Sequence, residues 1–140
     1  MSLNYPKSGP NDTPQYQMSG VPHITRALAP LKTSDPSDCV KVSFPFVTRN
    51  LTITNGGAVS LRVGFSANGA HGGSSNAIVI ASGQTVTYSF RCKDLFLMSD
   101  NGSTTCACLI VAGLTTIKRT EFPILTGSIV DGAPSFEGIG

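Results

Sequence analysis

From Val40 onward, apolar and polar residues alternate in short runs, which is the period of an extended chain with one buried face. In Ala58–Phe65, Val59, Leu61, Val63 and Phe65 alternate with Ser60, Arg62 and Gly64. In Thr85–Arg91, Val86, Tyr88 and Phe90 point to one side and Thr85, Thr87, Ser89 and Arg91 to the other. Applied to the whole chain, this pattern predicts strands over Val40–Phe46, Thr48–Thr54, Ala58–Ser66, Ala77–Ala81, Thr85–Cys92, Asp94–Ser99 and Thr104–Ala112, with a weaker one over Glu121–Leu125. Turn-forming residues separate the runs: Ala67–Asn76, Ser82-Gly83-Gln84 and Asp100–Ser103. Asn55-Gly56-Gly57 accepts positive φ readily, so it predicts a tight hairpin between the second and third strands. Since no ten-residue stretch carries a capped helical period, eight short strands at even spacing imply an all-β sandwich or barrel.

The two ends read differently. Residues 1–38 hold six of the nine prolines, Pro6, Pro10, Pro14, Pro22, Pro30 and Pro36. Proline fixes φ and removes a donor, which works against both helices and central strands. This segment is expected to be an extended arm. Its apolar residues Tyr5, Tyr16, Met18, Val21, Ile24, Leu28 and Leu31 are more than a spacer needs, so the arm should lie against its own domain or a neighbour. The Gly-rich Gly127–Gly140 reads as a second, loose tail. The expected organisation is an arm over 1–38, one β domain over 39–126 and a tail over 127–140.

Composition narrows the functional classes. Charged residues make up 13% of the chain, about half the roughly 25% of an ordinary soluble domain, and the mean hydropathy is slightly above zero. A surface this short of charge fits one covered by partners or solvated by Ser, Thr, Asn and Gly. The net charge of +2 is scattered, with only Lys118-Arg119 adjacent, which argues against a nucleic-acid stripe. No apolar run reaches the roughly 20 residues of a membrane span. The start has no signal-peptide core either, so synthesis inside the cell and reduced thiols are expected.

Candidate chemistry is sparse. Cys39, Cys92, Cys106 and Cys108 form no C-x-x-C pair, and Cys106 and Cys108 fall on one face of a strand. They read as buried hydrophobes, since the only histidines, His23 and His71, sit in loop-like surroundings rather than at ligand spacing. The loop Asn68–Asn76 lacks the G-K-[ST] and following helix of a phosphate loop. No G-x-S-x-G and no carboxylate pair marks a hydrolase. The sequons at Asn11, Asn50 and Asn101 read as chance matches. The sequence therefore names no catalytic residue, no cofactor and no metal, and an enzyme is not expected.

An arm followed by eight short strands is consistent with a single jelly roll of two four-stranded sheets. Val42-Ser43-Phe44-Pro45-Phe46-Val47-Thr48-Arg49, Leu61-Arg62-Val63-Gly64-Phe65-Ser66, Arg91-Cys92-Lys93-Asp94-Leu95-Phe96-Leu97 and Ile124-Leu125-Thr126-Gly127-Ser128 go further. Together they resemble the single-jelly-roll penton proteins at the capsid vertices of large icosahedral double-stranded DNA viruses. The resemblance covers about Val40 to Ser128 and rests on strand residues without a catalytic signature. It implies a structural virion protein, made inside the infected host cell, that forms a homopentamer at the icosahedral vertex. Its partners would be the major capsid protein and other minor capsid proteins, with no specific nucleic acid. Five-fold closure needs a heterologous interface, one flank of the sandwich against the opposite flank of the next copy. A minor cement or decoration protein of the capsid, or a carbohydrate-binding jelly-roll module, are the alternative readings.

Overall fold

Alternating burial runs along most of the strands, and two inner faces share one core. The computed structural model of the protein describes residues 21–71, 76–122, 129–130 and 133–134. These residues are all-β apart from three short helical turns. The strands are β1 (Val21–Ala29), β2 (Val40–Ser43), β3 (Phe46–Asn55), β4 (Leu61–Gly64), β5 (Ile78–Ile80), β6 (Thr85–Tyr88), β7 (Asp94–Ser99), β8 (Cys106–Lys118), β9 (Ile129–Val130) and β10 (Ala133–Pro134). One antiparallel sheet has the order β1-β8-β3-β6, the other β2-β7-β4-β5, and β9 pairs with β10 alone. The core draws Leu51, Ile53, Cys106, Cys108, Ile110, Ala112 and Leu114 from the first sheet and Val42, Leu61, Val63, Ile80, Leu95 and Leu97 from the second.

The pairing is nested. β4 pairs with β5, β3 with β6, β2 with β7 and β1 with β8, every pair antiparallel. The chain thus runs out along β1 to β4 and returns along β5 to β8 as one long ribbon. Successive pairs of that ribbon fall alternately in the two sheets.

Three sequence expectations are corrected. First, Val21–Ala29, placed in an arm by its prolines, is a nine-residue strand in full register with β8, from Val21 opposite Leu114 to Ala29 opposite Cys106. It is an edge strand, so the donor that Pro22 lacks is not demanded by a second neighbour. Residues 1–20 lie outside the described residues. Second, Asn55-Gly56-Gly57 does not close a hairpin: β3 lies in the first sheet and β4 in the second, so residues 56–60 carry the chain between sheets. Third, the proposed strand over Glu121–Leu125 begins instead as a single 3-10 turn, Arg119–Glu121, and residues 123–125 lie outside the described residues. Of the expected loose tail, Ile129–Val130 and Ala133–Pro134 are paired. The two residues linking them in sequence are Asp131-Gly132, a favoured composition for a two-residue hairpin link.

In the Gly-rich region, Ala67–His71 forms one short helix, α1. Ser66 starts it: its carbonyl accepts from Ala70 N–H at 3.0 Å and its hydroxyl from Gly69 N–H at 3.0 Å. Gly64 lets this helix approach β4, because a Cβ there would stand 2.5 Å from Ala70 N. No helix among the described residues is long and apolar enough to cross a membrane.

Candidate functional site

The polar side chains of the described residues gather in four places, each of which closes on itself. At the end of the sandwich where β8 terminates, Arg119 donates to Phe44 O at 2.8 Å and pairs with Asp94 at 3.0 Å. Lys41 approaches the same carboxylate at 3.7 Å, and Lys93 Nζ donates to Phe122 O at 2.9 Å. This cluster fixes where the chain leaves β8. At the other end of β7, Arg62 pairs with Asp100 at 3.1 Å and donates through Nε to Ala70 O at 2.9 Å, while Lys32 stands 3.8 Å from Asp100. In the loop before β2, Thr33 Oγ1 donates to Asp38 at 2.7 Å, and Ser37 N–H donates to Asp35 at 2.9 Å. That bond from Ser37 holds the Asp35 carboxyl below its ordinary range.

The fourth place is buried. Asn55, at the end of β3, donates from Nδ2 to Val59 O at 2.8 Å and to Ile80 O at 2.9 Å. Its Oδ1 accepts from Gly57 N–H at 2.9 Å and from the Cys106 thiol at 2.9 Å. One fully buried amide thereby joins β3, the crossing link, β5 of the other sheet and β8. Gly57 is needed for closeness rather than for turn geometry, since a Cβ there would meet Cys106 Sγ at 2.7 Å.

The cysteines and histidines stay apart as potential ligands. Cys106 and Cys108 are both buried on the inner face of β8. Burial pushes the thiols of Cys92 and Cys108 up to about 11, and those of Cys39 and Cys106 up as well. His23 stacks edge-on against Phe44 with ring centroids 5.5 Å apart, whereas His71 Nε2 lies 2.7 Å from Thr33 O. Among the described residues no group of three or more His, Cys, Asp or Glu side chains is placed to hold a metal ion. Of the sequon asparagines, Asn50 accepts from Gly113 N–H at 3.0 Å and Asn101 from Ser103 N–H at 2.7 Å, while Asn11 lies outside the described residues.

The outer face of the first sheet has the most unusual chemistry. An antiparallel sheet with one solvated face carries polar residues there. On β3 and β6 that holds: Thr52 bonds Thr87 at 3.1 Å and Thr54 bonds Thr85 at 3.0 Å. On β1 the order is inverted. His23, Thr25, Ala27 and Ala29 face inward, while Pro22, Ile24, Arg26 and Leu28 face outward, with Ile24 68% and Leu28 59% exposed. Opposite them on β8 stand Gly113, Val111, Leu109 and Ala107 respectively. The result is an apolar strip two strands wide with Arg26 as its only charge. Arg26 belongs to none of the ion pairs among the described residues. Sequence reasoning noted Ile24 and Leu28 as anchors but not their side of a strand; the signal was the period-two spacing of Pro22, Ile24, Arg26 and Leu28.

No protein-family model and no curated protein matches this sequence. Among solved structures, the chain is similar to a crystal structure of FeII HppE, with 13% identity over 65% of this chain, 42% of that chain and a TM-score of 0.38. The chain thus spans less than half the length of that structure, and a likeness at this level carries no argument about activity.

Proposed function

We propose that the two sheets form a jelly roll and that the protein is a structural capsid component, a penton-like vertex protein assembling as a homopentamer. The strand order carries this reading. Nested pairing of β1 with β8, β2 with β7, β3 with β6 and β4 with β5 is what results when a four-pair antiparallel ribbon wraps around a core, which is the path of a jelly roll. Much of the wording that resembles pentons supplies the interior: Phe44, Val47, Leu61, Val63, Cys92, Leu95 and Leu97 are all buried. The scarcity of charge supports burial of much of the remaining surface by other subunits. Val79, 52% exposed on the edge strand β5, is an apolar anchor on one flank for such a contact. The proposed neighbours are further copies in the ring and the major capsid subunits around it.

Native mass spectrometry of the purified full chain tests the assembly. The expected species has five times the 14.6 kDa mass of one chain, and Val79→Asp reduces its abundance. A chain that stays monomeric at high concentration and is missing from purified virions overturns the proposal.

A further inference from the structure

We infer that Asn101 is a self-modifying site, at which Gly102 N displaces the side-chain ammonia and water opens the resulting ring to aspartate or isoaspartate. The sequence has three Asn-Gly pairs, Asn55-Gly56, Asn68-Gly69 and Asn101-Gly102. Glycine has no Cβ beside its nitrogen and so obstructs this attack least. Composition makes all three pairs candidates; the structure separates them.

The reaction needs a nitrogen whose N–H is not engaged, a polarised amide carbonyl and a leaving group free to depart into water. Asn101 meets all three needs. Gly102 is exposed, and its N–H makes no hydrogen bond among the described residues. Asn101 Oδ1 accepts from Ser103 N–H and from Ser103 Oγ–H, each at 2.7 Å. The first of these bonds folds the side chain over the Asn101–Gly102 peptide, which keeps Cγ on the side of Gly102 N. Both donors point at the oxygen on which negative charge gathers as Cγ becomes tetrahedral, the arrangement of an oxyanion hole. At the preceding residue, Lys32 and Arg62 share the single carboxylate of Asp100, so the neighbourhood carries a net positive charge that favours the anion. Asn101 Nδ2 makes no hydrogen bond among the described residues.

Asn55 shows how the same dipeptide is silenced. Its Oδ1 also has two donors, Gly57 N–H and the Cys106 thiol, but Gly56 N–H is bound to Ala107 O at 3.0 Å. Nδ2 is held by Val59 O and Ile80 O, and the residue is fully buried. Ammonia cannot leave, nor water enter, without local unfolding. At the second pair, Gly69 N–H is bound to Ser66 Oγ at 3.0 Å within α1.

The reaction balances with water as the only co-reactant. Gly102 N gives its proton to solvent and bonds to Asn101 Cγ; the Cγ–Nδ2 bond breaks, and Nδ2 takes up a proton and leaves as ammonia. Water then adds to one of the two ring carbonyls. Addition at Cγ gives aspartate, and addition at the main-chain carbonyl gives isoaspartate, with Cβ inserted into the chain. Either product adds one negative charge beside Asp100. This inference stands apart from the pentamer proposed above and does not depend on it.

The test incubates the purified full chain for weeks in warm neutral buffer, with conversion read by peptide mass spectrometry and isoaspartate by enzymatic methyl-ester labelling. In the folded protein Asn101 should convert, with Asn55 slower by about ten-fold or more. In the urea-unfolded chain all three pairs should convert. Ser103→Ala should slow conversion of Asn101 in the folded protein by about three-fold or more, less than at a buried enzyme site because water partly replaces the hydroxyl. Ser103 is exposed, and far-ultraviolet circular dichroism verifies that the variant keeps its fold. Conversion of Asn101 no faster than that of Asn55, an absence of isoaspartate at position 101, or a folded-state rate unchanged by Ser103→Ala each overturns the inference.

Discussion

Replacing Asn55 by Asp exchanges one nitrogen for one oxygen and should make the stability of this protein strongly dependent on pH. In the native protein Asn55 Nδ2 donates to Val59 O and Ile80 O. A carboxylate in that place would turn a third acceptor toward two carbonyls, in a fully buried position. The protonated acid restores one of the two bonds. The ionised acid restores neither and adds a desolvated charge, so the carboxyl pKa of Asn55→Asp is raised above the unfolded value of about 3.9. Between those two pKa values the folded state binds more protons than the unfolded state, and stability falls as pH rises, by up to about 1.4 kcal/mol per pH unit. Asn55→Ala supplies the baseline. It leaves Val59 O, Ile80 O and Gly57 N–H without this partner, at about 1–3 kcal/mol each, and so should cost about 4 kcal/mol at any pH. That is a large share of the roughly 5–15 kcal/mol of a small domain. Urea unfolding of the three proteins, followed by circular dichroism at about pH 5 and about pH 7.5, measures this. If Asn55→Asp loses no more stability than Asn55→Ala on going from acid to neutral pH, the buried four-bond role of Asn55 is wrong.

Other substitutions separate full burial from partial burial. Phe44→Ala, at a side chain with 0% exposure, should cost about 3–5 kcal/mol in urea unfolding. Phe65→Ala and Phe90→Ala should cost less each, because both rings are half-buried and packed on the edge of the core. Their rings meet edge-on at 5.2 Å, so the double variant should show a coupling of about 0.5–1.5 kcal/mol. Gly64→Ala forces a methyl against Ala70 backbone atoms at 2.5 and 2.9 Å and should destabilise by about 1–3 kcal/mol. Gly83→Ala has open space around it but a φ of +75°, so it should cost about 1–2 kcal/mol from backbone strain alone. Cys92 and Cys108, with thiols pushed up to about 11 by burial, should resist iodoacetamide at about pH 8 in the folded protein. Half-exposed Cys39 should be alkylated first, as peptide mass spectrometry would show.

Local pattern was the reliable part of the sequence reading. β7 occupies Asp94–Ser99, the bounds its apolar run gives; Leu61 and Val63 are buried as their alternation predicts, with Val59 and Phe65 partly buried against the core, whereas Gly64, read as outward, is buried. What failed depends on which strand lies beside which. Asn55-Gly56-Gly57 has a hairpin's composition, yet there the asparagine is a buried bridge and Gly57 makes room for Cys106. Gly83 is the glycine with positive φ among the described residues. β1 was hidden because Pro22 suits an edge and its inward residues, His23, Thr25, Ala27 and Ala29, include no large aliphatic side chain, an arrangement that only pairing with β8 makes favourable. The length of β8, which runs past Gly113 to Lys118, was likewise set by its two neighbours rather than by its own composition. The outward strip was legible in part, since Cys108–Ala112 is apolar on both faces, but what that meant depended on β1 lying alongside.

The placement of β8 between β1 and β3 has a consequence for biosynthesis. The first sheet cannot be completed until Cys106–Lys118 has left the ribosome, so β1 waits, unpaired, while nearly a hundred residues are translated. Pairings that join such distant positions make folding slow and late, and the waiting strand is open to rival nascent chains. Ribosomes stalled just short of Cys106 should therefore display a β1 that proteases cut freely, and a few dozen codons further on the same bond should become resistant.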